Sequence, residues 1–130
     1  MQTWWSILLV AIGGAVGAVA RQFSNEWCHR WVLIKFGRFV PLSTLLVNVV
    51  GSLLIGVLMG LVRRGQLSDE WRLLLVTGFL GALTTFSAFS FETLMLARED
   101  SFGMAAVNTL ANVTLSLGAA WIGWWLCQAR

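Results

Sequence analysis

Thr77-Gly78-Phe79-Leu80-Gly81-Ala82-Leu83-Thr84-Thr85-Phe86-Ser87-Ala88-Phe89-Ser90-Phe91-Glu92 overlaps a charge-free apolar window, Leu73 to Phe91, that is long enough to be a membrane span. Yet the stretch holds Gly78 and Gly81, a scatter of hydroxyl residues and several phenylalanines. Glycine in a helix interior costs about 1 kcal/mol against alanine. Gly78-x-x-Gly81 followed by Thr84-Thr85 is therefore a place where a spanning helix can break. A break at membrane depth frees backbone N–H and C=O groups, which are tolerated only where protein or a water-filled path satisfies them. Transport proteins build midplane ion sites in this way. The same glycines also suit close helix packing, with the phenylalanines turned to lipid. The hydroxyls weigh on the other side, because they have no reason to face lipid.

Outward from this stretch the chain stays apolar. It is 58% hydrophobic with a mean hydropathy of +0.77, against roughly half apolar residues in a soluble domain. Met1–Ala20, Phe39–Val62, Leu73–Phe91 and Ser101–Ala129 all lack charge. Each is about as long as the roughly 20 residues that cross a bilayer as a helix. The expectation is an all-α membrane protein of one domain, 1–130, with four transmembrane helices, the third broken at mid-membrane. Ala18-Val19-Ala20 resembles a signal-cleavage site, but no Lys or Arg precedes the apolar run, so the first window reads as a retained span.

With four spans, Arg63, Arg64, Arg72 and Arg130 lie on one side, and Arg21, Arg30, Lys35, Arg38 and Arg98 on the other. The Lys/Arg bias that sets orientation is nearly absent. This points to dual topology, with the chain inserting either way up and two copies meeting as an antiparallel homodimer. In transporters with inverted repeats the ion sites lie at the repeat interface near the midplane, which here falls at Gly81–Thr84. The net charge of +3 needs no nucleic acid, since basic residues beside headgroups explain it. Cys28 and Cys127 fall near opposite faces of the bilayer, so no disulfide between them is expected.

Gly13-x-x-x-Gly17 in the first span and Gly56-x-x-x-Gly60, continuing from Ser52, in the second put small residues on helix faces, the signature of close contact. Trp27, Trp31 and Ile34 within Ser24–Phe39 read as a short interfacial helix. Ser68 before Asp69 and Glu70 reads as an N-cap with acids in the first turn. Asn48 lies mid-run in the second span, where an unsatisfied carboxamide costs several kcal/mol, and Thr44 lies one turn before it. Asn108, Asn112 and Ser116 recur every fourth residue on the fourth span, flanked by Thr109 and Thr114.

No Asp, Glu, Lys or His sits at mid-depth of a span, where proton and cation transporters keep an ionisable group; Glu92 is the nearest acid. What remains is donors: the amides of Asn48, Asn108 and Asn112, the hydroxyls, and Arg21 at the end of the first span. Donors suit an anion. Phe86 and Phe89 add ring edges, the positive end of the aromatic quadrupole. No catalytic triad, metal-ligand cluster or phosphate loop occurs, which argues against an enzyme.

Gly78-Phe79-Leu80-Gly81-Ala82-Leu83-Thr84-Thr85-Phe86-Ser87-Ala88-Phe89-Ser90 resembles the G-x-x-G-[GA]-[LF]-T-T-F-S-[TA]-F-S core of the Fluc fluoride channels, also called CrcB proteins. Thr44-Leu45-Leu46-Val47-Asn48 resembles their T-L-x-x-N motif, and Gly13 to Arg21 their glycine-rich first helix ending in Arg. The resemblance implies an antiparallel dual-topology homodimer in the bacterial inner membrane, with two fluoride pores. It places Phe86, Phe89 and Asn48 on the pores and Arg21 in the vestibule. Thr44, Ser116 and Glu92 fall on the polar path, and Asn112 at a position of variable type. It assigns the backbone carbonyls of Gly81 and Thr84, from both subunits, to a central structural sodium ion. Where the family often has a later serine or threonine in the fourth span, this chain has Ala120.

Two other readings compete. A proton-coupled small multidrug exporter has the same size and span count but needs a carboxylate in the first span, and Met1–Ala20 has none. A structural membrane protein leaves the line of Asn48, Asn112 and Phe86 without a purpose.

Overall fold

The computed structural model describes residues 3–36, 40–99 and 102–128. Arg38, Phe39 and Arg130, which entered the charge and span readings, lie outside the described residues. Among the described residues, four helical stretches are long and apolar enough to cross a membrane: Thr3–Val32, Leu42–Arg63, Asp69–Glu99 and Phe102–Gln128. The protein is a multi-pass, all-helical membrane protein.

Helix α1 spans Thr3–Phe36, 34 residues. No proline, and no glycine beyond Gly17, interrupts it. The separate interfacial helix expected over Ser24–Phe39 is instead the continuation of α1. Its would-be first residue, Ser24, does not cap a new helix; its hydroxyl donates back to the Ala20 carbonyl at 3.0 Å, one turn earlier in the same rod. Trp27, Trp31 and Ile34 lie exposed on this extension, while Cys28 and Val32 are buried.

Helix α2 spans Leu42–Arg63. It ends in a Schellman turn: Gly65 takes φ 68°, its N–H donates to Val62 O at 2.9 Å, and the Gln66 N–H donates to Leu61 O at 3.0 Å. The third span follows as α3 (Asp69–Trp71), a π-helical stretch (Arg72–Leu80), α4 (Gly81–Leu83) and α5 (Phe86–Glu99). Ser68 does occupy the N-cap of α3, but its side chain makes no capping bond. The acids of that turn pair sideways instead. Asp69 meets Arg72 at 3.3 Å, and Glu70 accepts from the Trp5 indole N–H at 2.9 Å. The last helix, α6, spans Phe102–Gln128.

The spacing of small residues decides how these rods meet. On α1, a Cβ at Gly13 would collide with the Leu74 carbonyl, and one at Gly17 with the Phe79 carbonyl; opposite them, a Cβ at Gly78 would lie 2.8 Å from Val10 O. Backbone therefore lies against backbone between α1 and the π-helical stretch. The second seam joins α2 to α6, where Gly56 faces the Ala120 carbonyl, Gly123 faces the Leu53 carbonyl and Gly60 faces the Cys127 side chain. Both glycine faces expected from spacing are used. Ser52 is the exception, turning toward a cleft rather than into the seam. Val47, Leu80 and Leu83 form the buried apolar centre, with Ala20, Leu58 and Phe79 against it. Both cysteines are buried and free.

Candidate site at the Thr84-Thr85 interruption

Helical geometry lapses between α4 and α5. Thr84 is extended, at φ −78° and ψ 153°, and helix resumes at Phe86. Thr85 starts the new helix as its N-cap, its Oγ1 accepting from the Ala88 N–H at 3.2 Å, three residues on. Thr85 itself is buried, with 8% of its surface exposed. Its own main chain is paired by one side chain. Asn48 Oδ1 accepts from the Thr85 N–H at 2.8 Å, and Asn48 Nδ2 donates to Thr85 O at 3.2 Å. A carboxamide thus stands where a peptide group would stand in a continuous helix. That is the partner which the place of Asn48 in the middle of an apolar span demanded.

This pairing has a second effect. An uninterrupted α-helix would direct the Thr85 N–H at the Gly81 carbonyl and the Ala88 N–H at the Thr84 carbonyl. Here the first goes to Asn48 and the second to Thr85 Oγ1. Thr84 adds its N–H and its hydroxyl to the Leu80 carbonyl, at 3.0 and 2.9 Å. The carbonyls of Gly81 and Thr84 are left without the donors that helix would supply. Gly51 on α2 makes room for the lapse, since a Cβ there would collide with the Thr84 methyl group.

A cleft of about 420 Å³ opens beside it. Of the expected path residues, Asn48, Phe86, Phe89, Asn112 and Ser116 share its wall, together with Gly81 and Thr84. The Phe86 and Phe89 rings lie 5.4 Å apart between centroids, tilted by 57°. Phe89 is buried at 8% and Phe86 is 78% exposed. Ser116 Oγ is buried with no hydrogen-bond partner among the described residues. Thr44 and Glu92 sit off the cleft wall as a pair, the threonine hydroxyl donating to Glu92 Oε1 at 2.7 Å; Glu92 Oε2 is buried and has no hydrogen-bond partner among the described residues. Arg21 is half-buried on α1 and does not line the cleft.

Residues 8–124 match the family described as CrcB-like protein, Camphor Resistance (CrcB). The chain belongs to the CrcB family. Curated relatives named fluoride-specific ion channel FluC are similar along nearly their whole length. One from Vibrio cholerae serotype O1 (strain M66-2) is 47% identical over 122 residues, covering 92% of this chain and 94% of its own. One from Vibrio parahaemolyticus serotype O3:K6 is 45% identical, covering 94% of both chains. One from Photobacterium profundum is 44% identical over 118 residues, covering 90% of both. The CrcB match contains every expected site residue, from Arg21 to Ser116.

Sequence reasoning missed two contributors to the site in this CrcB chain. The sequence places Thr85 at the expected break but gives it no role of its own, although a threonine three residues before a helical N–H is a legible cap. Thr93 carries no local signal. It matters because Asn108, on another helix, donates to its hydroxyl at 2.8 Å. Conversely, Thr109 and Thr114 are absorbed by their own helix, donating to Ala105 O and Leu110 O.

Proposed function

We infer that this chain is the subunit of a fluoride-specific ion channel that lets cytoplasmic fluoride leave the cell passively. The observation that carries the reading is its alignment with relatives named fluoride-specific ion channel FluC over 90% or more of both chains. The chemistry of the cleft supports it. Its polar edge consists of amide and hydroxyl groups beside two phenylalanine rings, whose edges are the positive part of the quadrupole. The unpartnered Ser116 hydroxyl has a proton to offer an anion.

In this reading two chains insert in opposite orientations, and the Thr84-Thr85 lapse of each lies at mid-membrane where the copies meet. The partner covers the open side of the cleft and the exposed Phe86, and the dimer holds two pores. The pore is walled by Phe86, Phe89, Asn48, Asn112 and Ser116, continues past Thr44 and Glu92, and has Arg21 in its vestibule. The residues named for a central sodium ion fit it, because the Gly81 and Thr84 carbonyls have lost their helical donors. Held by those carbonyls from both subunits, the ion supplies positive charge that offsets their partial negative charges. Fluoride enters cells as neutral HF and ionises inside. In the bacterial inner membrane a negative-inside potential then drives the anion out, by about 2.3 kcal/mol per charge per 100 mV.

The test is efflux from liposomes carrying purified protein, read with a fluoride electrode and repeated with chloride. Fluoride flux without a proton gradient, and no chloride flux, is expected. Absent fluoride flux, or drug-dependent proton movement, overturns the reading. Phe86→Ile is expected to abolish flux while the dimer survives on size exclusion, and normal flux in that variant removes the residue from the pore.

A further inference from the structure

Asn48 Nδ2 carries two protons, and both are engaged. One goes to Thr85 O at 3.2 Å, the other to Asn112 Oδ1 at 3.1 Å. Asn48 therefore borders the cleft with no N–H free for an anion. The bond to Thr85 O supports the helix lapse and has a return partner in the Thr85 N–H. The bond to Asn112 is the one that can be exchanged.

The direction of every amide in this line follows from the main chain. Thr85 N–H can only donate, so the Asn48 atom beside it is oxygen and its other atom is nitrogen. Nitrogen there requires oxygen on Asn112. The remaining end of Asn112 is then nitrogen, and it lies 3.2 Å from Asn108 O, which can only accept, and 3.2 Å from Asn108 Oδ1. Asn108 Nδ2 passes to Thr93 Oγ1 at 2.8 Å, and that hydroxyl donates to Phe89 O at 2.8 Å. Asn108 and Asn112 are buried, at 8% and 5% exposure, so water does not scramble the line. Asn112 borders the cleft; Asn108 does not.

Resting on the fluoride-channel reading, we propose that Asn112 is an internal competitor for the anion. Fluoride gains Asn48 by displacing Asn112 Oδ1 from Asn48 Nδ2. Asn108 is a positioning residue that grips the nitrogen end of Asn112 and keeps its oxygen aimed at Asn48. The exchange trades one hydrogen bond for another, so entry does not leave Asn48 unsatisfied at any stage. It also means that Asn112 sets how much fluoride is needed to occupy the site.

The experiment is the initial rate of fluoride efflux from liposomes as a function of fluoride concentration. With Asn112→Ala, the anion no longer displaces an acceptor, and the half-saturating concentration is expected to fall about two- to tenfold, the net worth of one neutral hydrogen bond. Asn108→Ala is expected to shift it the same way by a smaller factor, and to add nothing in the Asn112→Ala background. Thr93→Val, nearly isosteric, removes the acceptor for Asn108 and gives a third, milder shift in the same direction should either asparagine variant fail to assemble. Half-saturation that is unchanged or raised in Asn112→Ala, or an Asn108→Ala effect that persists in the double variant, overturns the proposal while wild-type flux keeps the channel reading intact. Absent wild-type flux removes both.

Discussion

The π-helical half of the third span and the α5 half are held in opposite ways. Against α1, the first half is seated by subtraction. Gly13, Gly17 and Gly78 carry no side chain, and two main chains lie together with no side chain between them at these positions. Beyond Thr84, the second half is seated by addition. Asn48 from α2 supplies a peptide-like group, and Asn112 and Asn108 from α6 extend it. One contact specifies shape and tolerates no extra atom. The other specifies hydrogen-bond direction and tolerates no missing one. The chain thus joins a close-packed seam to a hydrogen-bonded interruption within a single span, and the cleft opens beside the interruption.

Substitutions that invert each logic put the contrast at risk. The largest effect is expected from Gly17→Leu, whose side chain must displace the Phe79 main chain rather than a flexible neighbour. Overpacking of ordinary cores costs about 1–3 kcal/mol; against backbone the expected outcome is loss of monodisperse protein after detergent extraction. Recovery of folded protein at wild-type yield would show the seam to be looser than described. Next is Asn48→Leu, which strands the Thr85 N–H and C=O. Each buried unpaired group costs about 1–3 kcal/mol, so a fall of that order per group is expected in denaturant unfolding in micelles, together with loss of flux. Thr85→Val is the mildest. It removes the N-cap of α5, worth about 1 kcal/mol, and a change as large as that of Asn48→Leu would make the cap, not the carboxamide, the main support of the lapse.

Much of this arrangement was legible in the residues. Glycines at intervals of four announced both seams, because a repeat near the helical period must line one face. Asn48 announced its need for partners by its setting alone. The identity of the partner did not show, since pairing with the Thr85 main chain depends on how two spans lie together. The π-helical winding of Arg72–Leu80 was equally silent: Leu73, Leu74, Leu75 and Val76 satisfy a helix whether its bonds close over four residues or five. Continuation of α1 past Arg21 was misread because charge begins there, and charge marks an edge of hydrocarbon rather than an end of helix. Ser68 had the right place for a cap, but helix α3 takes no bond from its hydroxyl.

The unbroken length of α1 has one more consequence. Thirty-four residues at 1.5 Å each make a rod of about 51 Å, roughly 20 Å longer than the hydrocarbon slab it crosses. Such a rod must lean or protrude, and a thinner slab changes which. Since Gly13 and Gly17 lie on the same continuous helix, a lean taken up at its end that bears Trp27 and Trp31 also tilts the seam, so bilayer thickness becomes a mechanical input to the span that carries the cleft.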